Sequence, residues 1–460
     1  MKCPGNQKVV VVGAGLAGMA SASALAEHGL DVELLEATQQ LGGRAAHMST
    51  GGFRIDLGAN LFLESYSTAR KMGEKLGSPL RPTSVAIHSG IYRNGRFHGI
   101  YGDRQLGHLL KTARTFLSFQ LLSPKGVWQA GKFAKVVQKH AEDLNFQYPE
   151  KILSLDIEQS AAVYFDKEIG AESLEWLYGP GLAGYAFAHP EQVGIAFAMA
   201  MLWHNGLNGA ACPYLPDGGM AAFVNALSQD CAHSVKLSTP VRQIVIENGA
   251  VRGVQTNEET IEAGAVICAT TASMALQLIP QLPEVVCDAF RQVTYSKCCR
   301  VFFGVDSSPI PEAWYAISFP RLTGTLISGM SNPGLLAPET VPHGRSLVDA
   351  IVIDEQAEEL FALSDEEVSN RVLSEMQHFF PRMPSAPLFS HVQKWPEAIC
   401  LSPGGMMTAL DRLRRLDYGG IKGLFFAGDY LGIPSLDTAL RSGLEAAEAV
   451  PGYLGQRLQH

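Results

Sequence analysis

Short apolar runs at residues 9–12 and 265–269, and within 423–429, have the length of fully buried strands. Residues 31–35 read as a further strand that ends at Glu36. The alanine-rich stretch between the first two strands predicts a helix that stops at Gly29. Residues 238–244 and 251–256 flank Glu247-Asn248-Gly249, a hairpin turn signal. Leu106, Leu109, Leu110, Ala113, Phe116 and Leu117 recur at helical spacing, and residues 434–443 open a helix rich in small side chains. The longest plain apolar stretch, residues 195–203, is too short to span a bilayer.

Composition narrows the class. The 460 residues are 47% hydrophobic and 18% charged, which is enough for two domains and a large core. A net charge of −9 argues against general nucleic-acid binding. Eight cysteines occur without a C-x-x-C pair, so neither a disulfide framework nor a metal site is expected, and a reducing, cytoplasmic setting fits. The apolar N-terminus reads as the first strand of the fold and not as a secretory signal. No repeat or low-complexity segment stands out.

The first chemical signal follows residues 9–12 directly. Gly13, Gly15 and Gly18 fall in G-x-G-x-x-G spacing, with Leu16 and Ala17 between them. Gly13 permits the tight turn, Gly15 lets backbone approach a pyrophosphate, and Gly18 lets helix and strand pack closely. The helix N-terminus offers N–H groups and a positive dipole end to the phosphates. Glu36 suits the hydroxyls of an adenosine ribose, and its charge would repel a 2′-phosphate. This much indicates a dinucleotide, with NAD and FAD both open.

The motifs that follow resemble the flavin amine oxidoreductase superfamily, which includes monoamine oxidases, protoporphyrinogen oxidases and phytoene-type desaturases. They are Leu41-Gly42-Gly43-Arg44, the run Phe53-Arg54-Ile55-Asp56-Leu57-Gly58-Ala59-Asn60, Gly423-Leu424-Phe425-Phe426-Ala427-Gly428-Asp429, and Pro434-Ser435-Leu436-Asp437-Thr438-Ala439. The resemblance implies an α/β (α+β overall) architecture. A Rossmann-like FAD domain of the glutathione-reductase type would span 1–80, 211–275 and 395–460. A discontinuous substrate domain of mixed sheet and helices would span 81–210 and 276–394. It assigns cofactor contacts to Gly42, Gly43, Arg44, Gly58, Ala59, Asn60, Val241, Gly428, Asp429, Asp437, Thr438 and Ala439, besides the glycine turn and Glu36. In the family the arginine assists the diphosphate, and the last helix aims its dipole at the flavin pyrimidine edge.

Comparison within the family bears on the substrate end. Monoamine oxidases link FAD through a cysteine nine residues after a tryptophan. Trp395 matches that tryptophan, but Gly404 stands at the cysteine position and Cys400 is at the wrong offset. FAD is therefore expected to be noncovalent. The two aromatic cage positions correspond to Gly405 and Ser435, which favours the protoporphyrinogen oxidase and desaturase branches. The lysine that many relatives place near the flavin corresponds to Arg300, with Lys297 as the alternative; in a strand these face opposite sides. An arginine there would suit a substrate carboxylate. Tyr185, Phe187 and His189, in a segment resembling a substrate-domain turn, are expected with Trp395 and Ser435 to line the substrate site. His204 reads as a hydrogen-bonded core residue. No protein base is singled out, because hydride removal needs none.

One segment stands apart. Arg104, Lys111, Arg114, Lys125, Lys132, Lys135 and Lys139 lie in a window with no acidic residue, giving +7 within a chain of −9. It reads either as a helix pair with a solvated basic face or as a contact for an anionic partner. Such a partner would be a membrane surface touched peripherally, an acidic carrier or a polycarboxylate substrate. The expected function is an FAD-dependent oxidoreductase that removes hydride from a small organic substrate, forming C=N or C=C, with oxygen as acceptor. The alternatives are an amine or amino-acid oxidase with a remodelled cage, a non-redox flavin isomerase, and a binding protein like a GDP-dissociation inhibitor.

Overall fold

The computed structural model describes residues 8–208, 212–311 and 314–457. Five parallel strands form the first sheet, in the order Leu424–Phe426, Ala265–Cys268, Lys8–Val12, Asp31–Leu35, Val235–Lys236. Residues 9–12 and 265–268 are all buried, as a central parallel strand covered on both faces requires. The helix Leu16–Glu27 crosses over from the first strand to the second. Gly18 sits inside that helix, in its first turn. The long helix Leu436–Arg457 packs beside it at close range: a Cβ on Gly443 would lie 2.2 Å from the Ala17 carbonyl.

A small antiparallel sheet joins Val241–Glu247, Ala250–Thr256 and Thr260–Glu262. Its first hairpin turns at Asn248 and Gly249, with φ of 51° and 71°, the left-handed pair that the Asn-Gly signal predicts.

The other large sheet is mixed. Its seven strands run Phe389–Trp395, Cys298–Val305, Ser346–Ile353, Gly329–Ser331, Ala316–Ser318, His88–Arg93, Arg96–Tyr101. All neighbours are antiparallel except Ala316–Ser318 with His88–Arg93. Cys298–Val305 and Ser346–Ile353 are buried at every position, so a charged residue on either must find its partner inside the protein. Helices Pro124–Lys139, Ala161–Ser173, Gly179–Ala186 and Ile195–Leu202 pack on one another beside the cavity described below. The apolar stretch expected at 195–203 supplies the last of these. Among the described residues no helix is long and apolar enough to cross a membrane.

Candidate active site

A cavity of about 940 Å³ runs from the glycine turn, past the Gly-Gly-Arg loop, to the seven-stranded sheet and the helices beyond it. At its first end the turn is held by the second strand, with the Gly13 N–H donating to the Leu35 carbonyl at 2.8 Å. Gly13 has φ of 97°, and a Cβ on Gly18 would lie 1.8 Å from the Gly13 carbonyl oxygen. Both glycines are therefore demanded by the protein's own packing. Gly15 differs, because a Cβ there would meet nothing within 4 Å. Its backbone, with Leu16 and Ala17, forms cavity wall at the N-terminus of a 12-residue helix. Bare backbone at a helix N-terminus is the cradle a pyrophosphate needs. Glu36 stands against the same turn, its carboxylate accepting N–H bonds from Ala14 and Thr38, each at 2.9 Å.

The Gly-Gly-Arg loop is stacked on this turn. The Gly42 N–H donates to the Ala14 carbonyl at 2.9 Å, and a Cβ on Gly43 would lie 3.1 Å from the Gly15 Cα. Gly58 closes the other side, where a Cβ would lie 2.0 Å from the Arg44 carbonyl oxygen. Arg44 spends two donors on Asp429, at 2.9 and 2.7 Å, and one on the Ala398 carbonyl at 3.1 Å. The Asp429 carboxylate keeps Arg44 firmly charged despite burial. The bidentate pair ties the loop after the second strand to the turn after the last strand, across the cavity wall.

At the far end the wall comes from the seven-stranded sheet. Arg300 lines the cavity, and Lys297 does not. The Lys297 ammonium sits outside, 2.7 Å from Glu358, as the opposite-face argument requires of one of the two. Arg300 is 2% exposed and fully engaged: Nε donates to Asp349 at 3.1 Å, Nη2 to Asp349 at 2.6 Å, and Nη1 to the Gly58 carbonyl. Asp349 already neutralises Arg300, so a substrate carboxylate would meet a paired arginine and not a free one. Ser331 donates to the same carboxylate at 2.9 Å, and Asn60 donates to the Tyr315 hydroxyl at 2.9 Å.

Trp395 also lines the cavity, its indole N–H donating to the Leu57 carbonyl at 2.9 Å, and so do Tyr185, Phe187 and Tyr315. Burial pushes the Tyr185 phenol up to about 12 and raises Tyr315 as well, so both hydroxyls stay protonated and neither is a base at neutral pH. His204 lines the wall too, with Nε2 against the Leu144 carbonyl at 2.5 Å; burial lowers its pKa and keeps it neutral. The lining is largely uncharged, apart from the paired Arg44–Asp429 and Arg300–Asp349 and the exposed Glu64 carboxylate.

Of the expected site residues, the cavity brings together Gly15, Leu16, Ala17, Gly42, Arg44, Gly58, Ala59, Asn60, Tyr185, Phe187, Arg300, Trp395, Gly428, Asp429, Ser435 and Ala439. Gly13, Gly18, Glu36, Gly43 and Val241 are not among the wall residues. Two residues of the last helix are turned to other work. Asp437 is fully buried and accepts the Ala69 N–H at 2.8 Å, and the Thr438 hydroxyl donates to the Ile433 carbonyl at 2.6 Å. Ser435 caps that helix by accepting the Thr438 N–H at 3.0 Å. His189 lies off the wall, its backbone N–H donating to Gln192. Gly405 is absent from the wall as well; its N–H donates to Asp156 at 3.0 Å, and a Cβ on Gly404 would lie 2.0 Å from the Ile157 carbonyl.

Sequence reasoning passed over Asp349 and Tyr315. A signal for Asp349 existed: it is the only charged residue in the strand Ser346–Ile353, which is otherwise apolar after its first residue. Tyr315 precedes a three-residue strand and carried no such mark.

Residues 16–451 match the family model described as flavin containing amine oxidoreductase. The chain is 22% identical over 509 residues to the mitochondrial protoporphyrinogen oxidase of Nicotiana tabacum, covering 97% of this chain and 95% of that one. It is 22% identical to the 15-cis-phytoene desaturase of Arabidopsis thaliana, covering 96% and 80%. Among solved structures, cyclohexylamine oxidase from Brevibacterium oxydans IH-35A superposes with a TM-score of 0.73 at 18% identity, covering 98% of this chain and 100% of that one.

Proposed function

The chain belongs to the flavin containing amine oxidoreductase family and is an FAD-dependent oxidoreductase; from that premise we propose that it oxidises a small organic substrate at a C–H bond beside nitrogen or a conjugated system. FAD bound along the cavity would accept the hydride as a C=N or C=C bond forms, and oxygen is the proposed final acceptor, leaving as hydrogen peroxide.

The observation that carries this reading is the continuity of one cavity from the bare Gly15 cradle to a mostly apolar pocket walled by Trp395, Tyr185 and Tyr315. Gly15, Leu16 and Ala17 would receive the diphosphate, Glu36 the adenosine ribose, and Gly42 to Arg44 with Gly428 and Asp429 the middle of the cofactor. Val241 is the proposed adenine contact. The Arg300–Asp349 pair braces the Gly58 carbonyl, and so positions the loop that walls the flavin end. Protonated tyrosines and a neutral His204 leave the substrate to arrive already in its reactive protonation state. The two large sheets support a discontinuous cofactor unit of 1–80, 211–275 and 395–460, with 81–210 and 276–394 as the substrate unit.

Noncovalent FAD is the better reading. Cys400 is fully buried and absent from the cavity wall, and burial pushes its thiol up and away from the reactive thiolate. Neighbouring Ala398 and Ile399 line the cavity instead.

The experiment is anaerobic mixing of the FAD-loaded protein with porphyrinogens, polyenes, amines and amino acids, read by loss of the visible flavin band. Bleaching by one class, reversed by oxygen with release of peroxide, is the expected result. A flavin that stays oxidised throughout favours isomerase chemistry. Bleaching that oxygen does not reverse assigns a different acceptor.

A further inference from the structure

The helix Leu106–Leu117 is mounted with its polar side inward. The Thr112 hydroxyl accepts the Tyr101 N–H at 3.0 Å, the Thr115 hydroxyl donates to the Gly99 carbonyl at 2.8 Å, and His108 Nδ1 lies 2.8 Å from Asp103. Its leucines point outward. Leu106, Leu109, Leu110 and Leu117 form a stripe at helical spacing and are all exposed, Leu106 at 74%. No residue of this 12-residue helix is buried. Helices of this length are marginal in water without an apolar face packed on something. Phe119 and Trp128 extend the exposed apolar surface along the chain, Trp128 at 68%.

The charges around these side chains have one sign. Arg104, Lys111, Arg114, Lys125, Lys132, Lys135 and Lys139 are all exposed, and no acidic residue lies between 104 and 139. Leucine and tryptophan beside lysine and arginine on a surface helix is the composition of a segment lying in a membrane interface. An acidic protein partner would need charges matched at fixed positions, whereas an anionic lipid surface needs only proximity.

We propose that the two helices Leu106–Leu117 and Pro124–Lys139 rest on an anionic lipid bilayer. The leucine stripe and Trp128 enter the headgroup–acyl boundary, and the basic side chains meet lipid phosphates. The same helices wall the outer end of the cavity, through Phe116, Val127, Ala130, Gly131 and Ala134. Docking therefore sets that end of the cavity beside the bilayer.

The test is flotation of the FAD-loaded protein with vesicles of phosphatidylcholine and phosphatidylglycerol, against vesicles of phosphatidylcholine alone. Binding to the anionic vesicles alone, weakened by salt, is expected. Lys125→Gln, Lys132→Gln and Lys135→Gln together lower the partition coefficient on the order of a hundredfold, at about fivefold per charge. Leu106→Asn, Leu110→Asn and Leu117→Asn together abolish binding while leaving the flavin spectrum unchanged. Brominated lipid quenches wild-type fluorescence, and Trp128→Phe removes that quenching; this readout stands whether or not the leucine variant folds. Absent binding, equal binding to both vesicle types, or full binding by a folded leucine variant overturns the proposal. So does a dimer that the leucine changes dissolve when vesicles are not bound. None of these outcomes alters the redox reading, which is measured on the flavin without lipid.

Discussion

Arg300 and Asp349 carry opposite charges at 2% and 1% side-chain exposure, where each needs the other. Removing one partner of such a pair typically costs about 3–5 kcal/mol, because the survivor is left charged and buried. Asp349→Asn should therefore lower urea-unfolding stability by that order. Arg300→Met with Asp349→Leu should recover most of the loss. An Arg300 substitution should not discriminate a carboxylate substrate from its ester, which a free arginine would. Asp56 gives a pH-dependent counterpart. Burial raises its carboxyl to about 7, against the nearby Arg300 charge, which pulls it down. Between about pH 4 and pH 7 the unfolded chain has released a proton that the folded chain keeps, so this residue makes stability fall as pH rises through that window. Asp56→Asn, which keeps an acceptor for the Ala221 N–H, should flatten the melting temperature against pH between 5 and 8 relative to wild type. Arg300 was legible in the sequence as a position but not as a role. The role depends on Asp349, a residue 49 positions away that only strand pairing brings near.

The glycine turn and the helix after it separate folding from binding within one motif. Gly18→Ala drives a Cβ into the Gly13 carbonyl and should sharply lower the melting temperature even without cofactor. Gly15→Ala meets no protein atom and should cost the apo form no more than about 1 kcal/mol, as a weaker helix cap. It should nevertheless weaken FAD binding by tenfold or more, read by fluorescence titration. These elements were legible because a buried strand, a glycine turn and a glycine stop at Gly29 are local signals. The last helix was legible as an element, but its contacts were not. Ser435 caps it and faces the cavity, while Asp437 is drawn to the Ala69 N–H in the first turn of the helix Ser67–Lys75, far away in sequence. The helix Leu106–Leu117 was legible from its leucine spacing alone. Its outward orientation was not, since spacing reports a stripe and not what covers it.

Over the whole molecule, the cavity threads from the five-stranded sheet to the seven-stranded one, and wall residues come from segments spread between Gly15 and Ala439. A ligand that spans such a wall binds the folded state alone and stabilises it by mass action. FAD at a hundredfold excess over its dissociation constant should add about 2.7 kcal/mol, seen as a melting temperature that climbs with FAD concentration. The cofactor half of this cavity was legible because pyrophosphate recognition uses backbone and glycine at fixed spacing. The substrate half was legible only in part, at Tyr185, Phe187 and Trp395; Tyr315 and His204 reach the wall through tertiary packing that no local motif reports. The most direct measurement is the visible spectrum of the purified chain before and after adding FAD, followed by acid precipitation. One FAD per chain, released yellow into the supernatant, is the result predicted. A colourless protein that takes up no FAD would contradict the account.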